Sequence, residues 1–69
     1  MTIKQFDKIV EVVRNGGVVI AEKYGVYRIY NHEITENTNI QDIFNYDKED
    51  YSFYIKDGNK PLRELEEII

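Results

Sequence analysis

Asn15-Gly16-Gly17-Val18-Val19-Ile20-Ala21-Glu22-Lys23-Tyr24-Gly25-Val26-Tyr27-Arg28-Ile29-Tyr30 holds a helix stop, a strand, a tight turn and a second strand. Asn-Gly-Gly accepts positive φ, so a helix reaching it must end there. The β-branched run after it reads as a strand, Tyr24-Gly25 as a turn, and Val26–Tyr30 as the return strand. Strands joined this tightly are antiparallel neighbours, because a parallel return needs a long crossover. Alternation places Tyr27 and Ile29 on one face of the second strand and Val26, Arg28 and Tyr30 on the other. Apolar groups on both faces imply that the second face is at least partly covered.

Upstream, Ile3, Phe6, Ile9, Val10 and Val13 recur at helical spacing, and Thr2-Ile3-Lys4-Gln5 has the form of a capping box. The prediction is a helix over 3–14. Downstream, Glu33-Ile34-Thr35 is a candidate extension of the sheet. Thr38-Asn39-Ile40-Gln41 repeats the capping spacing ahead of Ile40, Ile43 and Phe44, which predicts a short docked helix. Asn45 to Asp50 reads as an acidic loop. Tyr51-Ser52-Phe53-Tyr54-Ile55-Lys56 reads as a third strand with Tyr51, Phe53 and Ile55 on one face, and Asp57-Gly58-Asn59 as a turn. Pro61 suits the first position of a C-terminal helix carrying Leu62, Leu65 and Ile68 or Ile69, with Glu64, Glu66 and Glu67 toward solvent. A hairpin at Asp57-Gly58 leading into a further strand is the competing reading, and Pro61 argues against it. The expected fold is therefore α+β in one domain, residues 1–69. It has a small antiparallel three-stranded sheet, with an N-terminal helix, a short middle helix and a C-terminal helix packed on it. Phe6, Ile9, Val10, Val13, Ile20, Ile29, Phe53, Ile55, Leu62 and Leu65 are its expected core.

Charge is unevenly divided. Residues 1–30 carry three acids against five bases, and residues 31–69 carry ten acids against four, so a net charge of −4 conceals a basic half and an acidic half. The acidic half is poorly suited to lie along phosphates and well suited to meet a basic protein surface. The chain has no cysteine, which excludes disulfides and thiolate metal sites. No segment approaches the roughly 18–20 apolar residues of a membrane span, and residues 1–5 lack the apolar core of a signal peptide. The expectation is a cytoplasmic protein without membrane contact.

Catalytic candidates are few. Ser52 is the only serine and His32 the only histidine, and they lie on separate segments. A nucleophile needs a base within hydrogen-bond reach and a group that orients the base. Asp47, Glu49 and Asp50 are close in sequence, but Lys48 interrupts them and they lack the spacing of a calcium loop. The reading is no enzyme, no cofactor and no metal. Gly16-Gly17 follows a helix, the wrong order for a phosphate cradle.

Six tyrosines, with only three phenylalanines and no tryptophan, imply that some rings lie exposed on the sheet. Residues 2–32 loosely resemble the start of HicA-type toxins, small ribonucleases, in the opening helix, the glycine break and Lys23-Tyr24-Gly25-Val26-Tyr27-Arg28-Ile29-Tyr30. That family places its catalytic histidine just after the glycine, where this chain has Val26 and Tyr27, so the activity is not carried over. Size, acidity and tyrosine content resemble small accessory proteins of phages and mobile elements, many of which inhibit host nucleic-acid enzymes. The expectation is a small acidic protein-binding module of that inhibitor kind, which does not itself bind nucleic acid. Glu33, Glu36, Asp47, Glu49, Asp50, Tyr30, Tyr46 and Tyr54 are its candidate contact residues. The alternative is an assembly subunit forming a homo-oligomer through its sheet.

Overall fold

The structure, a computed structural model, describes residues 1–35 and 39–68. The helix α1 (Ile3–Arg14) begins at a capping box. The Gln5 N–H donates to Thr2 Oγ1 at 3.1 Å, and the Thr2 N–H donates to Gln5 Oε1 at 2.9 Å. Its end is a Schellman motif: Gly16 takes φ +83°, its N–H donates to the Val13 carbonyl at 3.1 Å, and the Gly17 N–H donates to that of Val12 at 2.7 Å.

The strands β1 (Val18–Lys23) and β2 (Val26–Tyr30) follow as an antiparallel hairpin, with Ile20 opposite Ile29 and Lys23 opposite Val26. Tyr24 at φ 52° and Gly25 at φ 80° form the connecting turn, both left-handed as a type I′ hairpin requires. A helical turn α2 (His32–Thr35) comes next, where sheet extension was expected of Glu33-Ile34-Thr35. The expected Thr38 cap lies outside the described residues. Asn39 is a cap: its side chain accepts from the Gln41 N–H at 3.0 Å and opens a 3₁₀ turn, Ile40–Asp42. That turn runs into α3 (Ile43–Lys48), so most of the expected acidic loop is helical. The physical reason is Tyr46, whose ring meets Tyr30 at 6.4 Å and Tyr51 at 5.1 Å and so docks the additional turn.

The strand β3 (Ser52–Lys56) pairs with β1, and β4 (Arg63–Glu64) pairs with β3, giving one antiparallel sheet in the order β2-β1-β3-β4. The expected C-terminal helix is therefore replaced by a fourth strand and a 3₁₀ turn, Leu65–Glu67. Pro61 sits in the connection, ahead of the paired residues, where a missing N–H costs no ladder bond. The short edge strand outcompetes the helix because β3 offers it a ready row of donors and acceptors, and the turn after it still buries Leu65.

α1 supplies Ile9, Val12 and Val13 to the core, α3 supplies Ile43, and the sheet supplies Val19, Ala21, Tyr30, Phe53 and Ile55. The Phe6 and Phe44 rings, 4.6 Å apart, join the two helices. The β1 parity is opposite to expectation: Val19 and Ala21 point inward, while Ile20 shares the outer face with Ile29. Ile29 and Leu62 are exposed rather than core, and Phe6 and Val10 are only half-buried. The outer face is also less covered than expected, with Tyr27 60% and Ile29 49% exposed. No helix among the described residues is long and apolar enough to cross a membrane.

Candidate acidic cleft

Strand pairing brings together residues that are distant in sequence. Glu64 lies opposite Tyr54 across the β3–β4 ladder, and the following 3₁₀ turn carries Glu66. α3 brings Asp47 to the same end of β3. A cleft of about 390 Å³ lies between them, lined by Asp47, Glu64 and Glu66 together with Tyr51, Tyr54 and Gln5. The α-amino group of Met1 borders it and pairs with Asp47. Gln5, whose amide donates to the Ile68 carbonyl at 2.9 Å, ties the C-terminal turn to the start of α1. The cleft wall is thus fixed by backbone pairing on one side and by a helix terminus on the other. Two carboxylates, Glu64 and Glu66, remain beyond the Asp47 pair.

Ser52, at the start of β3, also lines a second and shallower recess with Glu22, Lys23, Tyr24 and Asp50. There the Lys23 ammonium donates to the Glu49 carbonyl at 2.5 Å and stands 5.7 Å from the Tyr24 ring centre and 5.9 Å from that of Tyr51. Lys23 therefore clamps the α3–β3 turn to the hairpin tip. The Glu22 carboxylate accepts from the Gly25 N–H at 3.1 Å, stabilising the turn that leaves Tyr24 94% exposed. The two recesses form an acidic, tyrosine-bearing band across one end of β3.

The expected contact residues divide unevenly over this surface. Asp47 and Tyr54 line the main cleft, Asp50 lines the smaller recess, and Glu49 is exposed beside it. Glu33 is exposed on α2, and Glu36 lies outside the described residues. Tyr30 is only 4% exposed and lies in the core, and Tyr46 is half-buried against it. Burial, with Tyr46 and Asp42 nearby, pushes the Tyr30 hydroxyl up to about 12 from 10.0. Sequence reading missed Glu64 and Glu66 because it placed both on the outside of a helix. The Asp57-Gly58 turn signal was the available clue, since a hairpin there puts Glu64 beside Tyr54.

The catalytic candidates stay apart. Ser52 is exposed opposite Glu22 at one end of β1, whereas His32 follows Tyr30, which pairs with Val19 at the other end. Among the described residues, no three His, Asp or Glu side chains converge where they could hold a metal ion. No family model matches the chain, and neither the curated proteins nor the solved structures include a match to it. The functional reading consequently comes from the surface itself.

Proposed function

We propose that the chain is a small, non-enzymatic protein-binding module whose acidic cleft receives a basic segment of another protein. The observation that carries this reading is that Asp47, Glu64 and Glu66 line one recess together with Tyr51 and Tyr54. A lysine or arginine stem fits against tyrosine rings while its charge meets carboxylates, and both interactions gain as water leaves the recess. The acid-rich band beside it steers such a partner toward the cleft. A basic surface of that kind is what nucleic-acid-handling proteins present to phosphates. Inhibition by occupying such a surface, as accessory proteins of phages and mobile elements do, is the role we assign.

The test compares the parent chain with Glu64→Gln/Glu66→Gln as immobilised baits in lysate of the native host, over a salt series. A protein retained by the parent, released by salt and lost to the double variant supports the cleft. Equal recovery on both baits refutes it. Retention of the parent by immobilised duplex DNA would refute the reading that its target is a protein.

A further inference from the structure

Among the described residues, no strand pairs with the edge opposite the cleft. β2 ends the sheet on that side, and its Val26, Tyr27 and Ile29 are all among the exposed large apolar residues. Lys23 and Val26 close a two-residue turn, so that pair exchanges both backbone hydrogen bonds and the pattern alternates from there. Tyr27 and Ile29 therefore turn their N–H and C=O groups away from β1, toward the free edge. An apolar edge strand with unpaired backbone groups is a template for another strand.

Its sequence identifies the strand that fits. Val26-Tyr27-Arg28-Ile29-Tyr30 is self-complementary when run antiparallel to itself: Val26 meets Tyr30, Tyr27 meets Ile29, and Arg28 meets Arg28. The exposed Tyr27 and Ile29 then meet twice across the axis, each time an aromatic against a β-branched residue, the pairing sheets favour. The same alignment makes Tyr27 and Ile29 hydrogen-bonded partners, matching the groups that point outward. β2 contains no acid, and the hairpin from Val18 to Tyr30 carries Glu22 against Lys23 and Arg28, so two copies meet through their least acidic part. Each Arg28 guanidinium stands 5.8 Å from its own Tyr46 ring, which draws the two central charges toward separate aromatic faces.

We propose that two copies of this chain pair through β2, with a two-fold axis at Arg28, to form one eight-stranded antiparallel sheet. This develops the assembly alternative and uses an edge separate from the cleft, so either reading can fail alone.

The test is sedimentation equilibrium of the full chain over a concentration range, with two variants. The parent should reach twice its 8.2 kDa mass. Ile29→Pro removes an N–H that points away from β1 and should weaken association at least tenfold, roughly the loss of two edge hydrogen bonds with their side-chain contact. Arg28→Glu, at an exposed position, serves if the proline variant misfolds. Mixed with the parent it should form a heterodimer about three- to tenfold tighter than either homodimer, because opposite charges then face each other on the two-fold axis. A parent that stays monomeric at millimolar concentration overturns the proposal and leaves the edge to a strand from a different protein. A dimer that a folded Ile29→Pro variant retains, or one with no heterodimer preference, overturns it as well.

Discussion

Gly16 and Gly17 are adjacent and chemically identical, yet alanine should cost different amounts at the two positions for different reasons. At Gly16 a Cβ meets nothing within 4 Å, and the cost is the left-handed backbone, φ +83°. That strain is worth about 1–2 kcal/mol for an L-residue. At Gly17 the backbone is ordinary, but a Cβ would stand 2.6 Å from the Lys56 carbonyl oxygen, 2.6 Å from Val12 Cγ1 and 2.9 Å from the Val12 carbonyl oxygen. Two of those atoms are backbone, and the third belongs to a fully buried, β-branched side chain in a helix with one favoured rotamer. None can yield without moving α1 or β3, which strains the Gly17–Val12 hydrogen bond and the Val18–Lys56 pair. Overpacking of that kind costs about 1–3 kcal/mol, and we expect Gly17→Ala at or above 3. Against a total stability of about 3–10 kcal/mol for a chain of this length, the variant should be largely unfolded or close to it. Urea denaturation followed by circular dichroism gives the ranking directly. If Gly17→Ala proves no more destabilising than Gly16→Ala, α1 does not enter the sheet as closely as the structure has it.

Asp47→Asn should lower stability by about 1 kcal/mol, because it strips the charge from a part-buried ion pair with the α-amino group of Met1, whereas Glu49→Gln/Asp50→Asn should leave the melting temperature nearly unchanged. Phe53→Ala should cost about 3–5 kcal/mol and Phe6→Ala distinctly less, since Phe53 is buried and Phe6 only half so; equal losses would place Phe6 in the core. Tyr30 favours the folded state while neutral, a contribution fully present below pH 10.0 and lost as pH rises through about 12. The urea midpoint should therefore fall across that window, and Tyr30→Phe should flatten the decline.

The parts of the fold that sequence made legible are those decided within a few residues. The capping box, the glycine stop, the Tyr24-Gly25 turn and the alternation of β3 are local, and each lies where the spacing puts it. The β1 parity was harder, because Val18, Val19 and Ile20 are apolar on both faces. Glu22 resolves it: Glu22 shares its face with Ile20, and burying an uncompensated carboxylate costs far more than leaving an isoleucine half-covered. The C-terminal segment was ambiguous for a different reason. Pro61, Leu62 and Leu65 satisfy a helical pattern and Asp57-Gly58 a hairpin turn, and the choice between them is made by the free edge of β3, a non-local competitor. The candidate cleft inherits that difficulty, since Glu64 and Glu66 come to line one recess with Asp47 only through the β3–β4 ladder. Tyr30 and Tyr46 were not separable by sequence from the other tyrosines, because only packing shows that their rings meet where α3 lies on the sheet.

The two proposed surfaces lie at opposite edges of one sheet, which makes their combination testable. The order β2-β1-β3-β4 puts the pairing edge at β2 and the cleft at β3 and β4. In the paired form the two β4 strands become the outer edges of eight strands, roughly 30–35 Å apart at the usual interstrand spacing. Two clefts carrying the acidic residues then face outward at the ends, and like charges are kept apart. If both proposals hold, such a dimer engages two basic sites at once, and the second contact is made at the effective concentration set by the first. A surface densely coated with the captured partner should therefore retain the parent chain far longer than the monomeric Ile29→Pro variant. On a sparse coating, where only one cleft can engage, the two should dissociate at the same rate. Glu64→Gln/Glu66→Gln should shorten retention on both coatings. If Ile29→Pro dissociates faster even from the sparse coating, β2 contributes to the contact itself, and the separation of pairing edge from binding cleft is wrong.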